Sequence, residues 1–137
     1  MLNAIMPAQP VAAVAGLALA LVVMLCAPAA AFDETLAARG AALSRLHCAR
    51  CHVVTPENRM TGISSTPSFM ILVKALDDWR DRFETFHARL PHPAHLRFSH
   101  DEPRPVDHPS TIAEMILEID DLEAIVAYAE KLKAESE

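Results

Sequence analysis

The stretch LHCARCHV, residues 46–53, separates Cys48 from Cys51 by two residues and places His52 directly after them. Two thiols at that spacing can add to the vinyl groups of a haem, form half of a zinc site, or cycle between dithiol and disulfide. Only the first use engages all three side chains. The vinyls lie on adjacent pyrroles, two intervening residues give the sulfurs the separation they need, and the histidine comes under the iron. A structural zinc ion asks for four ligands, usually with a second Cys/His pair; no second pair of cysteines exists, although His92 and His95 could supply two imidazoles. A thioredoxin-like dithiol asks for a βαβ setting, which the rest of the chain does not offer. The spacing predicts one covalent haem c, anchored through Cys48 and Cys51 with His52 as proximal ligand.

The setting agrees with that chemistry. The first 31 of the 137 residues contain no Asp, Glu, Lys or Arg, and Val11 to Cys26 is a continuous apolar run. It is shorter than the roughly 20 residues of a bilayer span. It suits the apolar core of a secretory signal, with Ala29-Ala30-Ala31 as the small-residue cleavage pattern. Residues 1–31 are therefore expected to be a signal peptide, or an uncleaved anchor, and residues 32–137 an exported, periplasmic domain. Removal of the signal leaves Cys48 and Cys51 as the only cysteines. In an oxidising compartment, where cysteines ordinarily pair, a structural disulfide framework is then ruled out. The net charge of −6 also falls wholly on residues 32–137. That acidity excludes a nucleic-acid partner, whose phosphates call for basic groups, and favours a basic docking surface on any partner protein.

The elements that position the motif read as helices. DETLAARGAALSRLH carries Leu36, Gly40, Leu43 and Leu46 at helical spacing behind an acidic start. Gly40 costs a helix about 1 kcal/mol against Ala, which implies close approach by another helix. After the loop VVTPENRMTGISS, Thr66-Pro67 reads as an N-cap and first helical position. One long amphipathic helix is then expected as far as Leu90, apolar at Phe69, Leu72, Val73, Leu76, Trp79, Phe83 and Phe86. The segment from Pro91 to Pro109 holds five of the ten prolines and four of the seven histidines. It is expected to be an extended loop, and a loop of that length in a small domain usually has a job. The last helix shows an apolar face at Leu122, Ile125, Val126, Ala129 and Leu132. No strand-like alternation is evident, so an all-α fold is expected.

On these residues the chain resembles a small monohaem cytochrome c of the class I type. The resemblance rests on Cys48-x-x-Cys51-His52 at the end of a glycine-bearing N-terminal helix, a middle helix, a ligand loop, and a C-terminal helix whose Tyr128 would pack across Gly40. It implies a helical domain wrapped around the haem. By the same resemblance Trp79 is a candidate donor to a haem propionate, with core packing as the competing role. The family's proline, whose carbonyl orients the proximal imidazole, has no counterpart at the usual distance: Pro56 is too near and Pro67 opens a helix. A carbonyl between Thr55 and Thr66 is expected to take that role.

The resemblance further implies a sixth iron ligand, usually a methionine just before the C-terminal helix. Met115 fits that position; Met60 lies too near His52, and Met70 falls on an apolar helical face. Against Met115 stands a capping box at Thr111 and Glu114, which would start the last helix there and make Met115 core. His92, between two prolines that stiffen its backbone, is the leading alternative, ahead of the other loop histidines and an open site. The function expected is electron transfer, as a shuttle or as electron-accepting partner of a dehydrogenase or oxidase. An enzyme is not expected, because no nucleophile or proton-transfer pair stands out. A haem-based small-ligand binder or sensor and a metal-delivery protein built on the loop histidines remain the other readings, and a membrane is a partner only if residues 1–31 are retained.

Overall fold

The computed structural model describes residues 33–137; the expected signal or anchor lies outside them. Helix α1, Glu34–His47, begins where Asp33 accepts hydrogen bonds from the backbone N–H groups of Thr35 and Leu36. These are donors a helix start leaves unpaired. Its buried positions, Ala37, Gly40, Ala41 and Ser44, form one narrow stripe of small residues at the i, i+3, i+4, i+7 spacing of a single face. That stripe meets α4, Ile119–Ala134. A Cβ on Gly40 would collide with the carbonyl of Ala124 and come within 3.0 Å of Tyr128 Cβ. The glycine is therefore a contact point of the two helices, as its position in the sequence implied.

The middle of the chain corrects the expectation of one long helix. Helix α2 spans Phe69–Ala75 and α3 spans Trp79–Thr85, with Leu76 extended between them at φ −114° and ψ 130°. Ser68, not Thr66, caps α2, accepting from Ile71 N at 3.1 Å, and Pro67 stays outside the helix. The break has a packing reason. In an unbroken helix Phe69 and Phe83 would stand about 21 Å apart at 1.5 Å per residue. Here their rings meet edge-to-face with centroids 4.9 Å apart. Asp77 and Asp78 supply the weak point, since aspartate competes with helical hydrogen bonding; Asp78 instead receives the Arg82 guanidinium at 2.9 Å.

The all-α expectation is also corrected: the domain is mostly helical, with four helices and one tiny sheet. Strands β1, Leu96–Phe98, and β2, Met115–Leu117, pair in parallel with Leu96 opposite Met115 and Phe98 opposite Leu117. Three-residue strands are too short to show a period in the sequence. The proline-rich segment is accordingly not all irregular, since it contains β1 and a 3₁₀ turn at His92–Ala94. The long connection from β1 to β2 is pinned by Arg104, which donates to Glu114 at 2.8 Å and to the carbonyls of Pro93 and Leu96 at 2.7 and 3.1 Å. Helix α4 starts at Ile119 rather than near Thr111, with Asp121 accepting from Glu118 N at 2.9 Å. Val54, Phe69, Val73, Phe83, Leu117 and Ile125 join in the core beneath. Among the described residues no helix is long and apolar enough to cross a membrane.

Candidate functional site

Cys48 is the C-cap of α1, its N–H donating to the carbonyl of Ser44. The chain then winds one further turn. Cys51 N and His52 N both donate to the carbonyl of Cys48, at 3.0 and 2.8 Å. This turn brings both sulfurs and the His52 imidazole to the wall of one cavity of about 560 Å³, a size ordinary for a cofactor or drug-sized ligand. Phe69, Phe83 and Ile125 supply apolar wall, and His92, His95 and Met115 reach the same cavity from the far segment. The two sequence candidates for a sixth ligand thus both face the space that His52 faces.

His52 is held in a defined tautomer. Its Nδ1 lies 2.7 Å from the carbonyl oxygen of Pro67, and a carbonyl only accepts, so Nδ1 carries the proton and Nε2 keeps its lone pair. The orienting carbonyl is one residue beyond the expected window of Thr55 to Thr66, and it is a proline's. The Phe69 ring meets the imidazole edge-on at 5.6 Å. Burial pushes the His52 pKa below its usual value, the Pro67 bond opposes that, and His92 lowers it further. A neutral imidazole with a free Nε2 is a ligand-ready group.

The Cys48 thiol is not tuned as a redox thiolate. Burial, and secondly the neighbouring Cys51, push the Cys48 thiol up to about 12, whereas reactive cysteines have depressed values. The two are not bonded to each other.

On the far side, the His92 backbone N–H and its Nδ1 each stand 3.0 Å from the carbonyl of Arg89. The His92 ring lies nearly parallel to that of His52, with an interplanar angle of 8° and centroids 6.1 Å apart. Met115 is buried and lies on strand β2, rather than in a loop or on a helix as the sequence suggested; its N–H donates to the carbonyl of His95 at 2.7 Å.

Trp79 is not among the residues that line the cavity; half-buried against the core, its ring packs edge-on to Phe83 at 6.4 Å with the Arg80 guanidinium over one face. The cations that do line the cavity are Arg82 and Arg89, which sequence reasoning passed over because they look like any solvated helix face. Of the other loop histidines, His100 stacks on Phe98 and His108 sits beside Asp107, away from the cavity. Among the described residues no group of three or more His, Cys, Asp or Glu is arranged to hold a bare metal ion.

Fold and site together define a small, mostly helical domain whose described residues form a largely apolar cavity lined by Cys48, Cys51, His52 and His92. No family model, no curated protein and no solved structure matches the chain.

Proposed function

We propose that this domain is a c-type cytochrome that carries electrons in the periplasm, with haem attached through Cys48 and Cys51 and with His52 as proximal ligand. The observation that carries the reading is the convergence of those three side chains on one apolar cavity, with His52 Nε2 left free by the Nδ1 bond to Pro67. Spacing alone cannot achieve that; it takes the extra turn after α1 and the return of the chain at Pro67.

Bound there, haem c supplies a one-electron ferric/ferrous couple. The chain's own residues hold and orient it and keep water from most of it. Pro67 fixes the imidazole plane, raising its basicity as a ligand by hydrogen bonding. Phe69, Phe83 and Ile125 provide the low-dielectric wall, and Arg82 and Arg89, the arginines that line the cavity, would pair with acidic haem substituents. The acidic surface elsewhere suits a redox partner with a basic docking face, such as a dehydrogenase or oxidase for which the domain is shuttle or acceptor.

The test is the intact mass under denaturing conditions of protein made in a periplasm with haem-attachment machinery. A mass increased by one haem, with a c-type reduced absorption spectrum, is expected. Protein that carries no covalent haem, while a control cytochrome made alongside does, would overturn the reading of LHCARCHV.

A further inference from the structure

His92 and His52 form the most specific pairing in the cavity. Their rings are within 8° of parallel with centroids 6.1 Å apart. Parallel rings with centres 6.1 Å apart are either too widely separated or too far offset for face-to-face contact, so stacking does not account for the arrangement. Two imidazoles that held one metal between their nitrogens would have that separation. With metal–nitrogen bonds of about 2.0–2.1 Å and each ring centre about 1.1 Å behind its nitrogen, ring centres fall roughly 6.2–6.4 Å apart.

The local structure around His92 is as defined as that around His52. Its backbone N–H and its Nδ1 both donate to the carbonyl of Arg89, which again leaves Nε2 with the lone pair. Phe86 meets the ring edge-on at 5.4 Å. Pro91 and Pro93 stiffen the chain on either side, lowering the entropy lost when the ring is fixed. Met115, by contrast, is held by its strand, paired opposite Leu96 and counted among the core side chains.

We infer that His92, not Met115, is the second axial ligand, so that the haem is held between two histidines. The inference rests on the haem reading of the previous section. Met115 then serves as apolar wall. An imidazole in place of a thioether lowers the potential relative to the His/Met set, so the partners are low-potential donors and acceptors. One electron enters and leaves without a bond or proton changing hands at the ligands, and a filled sixth position leaves no site for a gaseous ligand.

The experiment compares haem-loaded wild type, His92→Ala and Met115→Leu by absorption and electron paramagnetic resonance of the ferric form, and by carbon monoxide binding to the ferrous form. Wild type is expected to be low-spin, without the far-red sulfur-to-iron band, to show the rhombic signal of near-parallel imidazoles, and to bind no carbon monoxide. Met115→Leu should keep all of these. His92→Ala should turn high-spin, bind carbon monoxide, and return to low spin on adding imidazole. A far-red band in wild type that Met115→Leu abolishes would overturn the inference, as would an unchanged spectrum in His92→Ala. Should His92→Ala fail to accumulate, the wild-type and Met115→Leu spectra still decide. All three proteins keep Cys48, Cys51 and His52, so absence of covalent haem in all of them would instead sink the haem reading, and the ligand assignment with it.

Discussion

The phenol of Tyr128 donates to the carbonyl of Val54 at 2.8 Å, joining residues 74 positions apart in the chain. Both are buried, Tyr128 at 5% and Val54 at 0% exposure. The bond therefore links the face of α4 that crosses Gly40 to the backbone two residues past His52. It explains why an aromatic residue with a hydroxyl stands at this crossing.

Tyr128→Phe keeps the ring and strands the Val54 carbonyl without a partner. An unsatisfied buried acceptor costs about 1–3 kcal/mol. Urea unfolding should show a loss in that range with the denaturant slope unchanged. A midpoint equal to wild type would mean that the carbonyl finds another donor.

At Gly40 two effects of opposite sign compete, and magnitude decides between them. Alanine in mid-helix is about 1 kcal/mol better than glycine. Its methyl, however, would overlap the Ala124 carbonyl, which is backbone and cannot swing aside, so α1 and α4 must part. Overpacking of a tight core costs roughly 1–3 kcal/mol and occasionally more. Gly40→Ala should melt lower than wild type; a higher melting temperature would show that the helices separate easily.

The parts legible in sequence were those set by local chemistry. The acidic start of α1, a close helix contact at Gly40 and the final amphipathic helix follow from short-range pattern, while Tyr128 at that crossing follows from the family resemblance. The face that α1 buries does not: the spacing points to Leu36, Gly40, Leu43 and Leu46, but Ala37, Gly40, Ala41 and Ser44 are buried and Leu46 is 75% exposed. What could not be read depends on contacts made at a distance. The split of residues 69–85 into two helices is forced by Phe69 meeting Phe83, and helical periodicity alone cannot reveal a break that keeps the apolar face. The β1–β2 pair is three residues long on each side and joined by a connection that Arg104 organises. In the site, the motif identified Cys48, Cys51 and His52, yet the Pro67 carbonyl that orients His52 is a backbone group with no sequence signature. The parallel setting of His92 depends on Arg89 and Phe86, whose identities say nothing by themselves. The apparent capping box at Thr111 misled because its residues are needed elsewhere: Glu114 holds Arg97 and Arg104.

Cys48 gives a pH dependence that separates the unloaded chain from the loaded one. Burial raises its pKa from 9.0 to about 12, so the folded state prefers the protonated thiol. The stability it contributes is complete below pH 9 and is lost as pH rises from there toward 12. Unloaded wild type should lose stability across that window more steeply than unloaded Cys48→Ala. Tyr128, also raised by burial, contributes to the alkaline loss in both proteins and cancels in the comparison. A thioether does not titrate, so the haem-loaded protein should lack the Cys48 contribution. Equal alkaline slopes for the two unloaded proteins would show that the thiol is solvated.

Gly62 is the other glycine with a structural obligation, and it acts on the motif itself. Its φ of +83° lies in the left-handed region, which costs an L-residue about 1–2 kcal/mol. A Cβ there would also stand 3.0 Å from the Cys51 carbonyl oxygen and 3.2 Å from the His52 carbonyl carbon. Next to it Ile63 N donates to that same Cys51 carbonyl at 2.9 Å. The turn thus braces the backbone that carries the second sulfur and the proximal imidazole, and an added methyl presses on both. Gly62→Ala should therefore do two things that Gly40→Ala does not combine: lower stability by about 1–2 kcal/mol and shift the ligand-sensitive bands of the loaded protein. Spectra recorded on both variants at temperatures well below their melting points check this. A band shift in Gly40→Ala as large as in Gly62→Ala would mean that the motif senses helix packing in general rather than this turn.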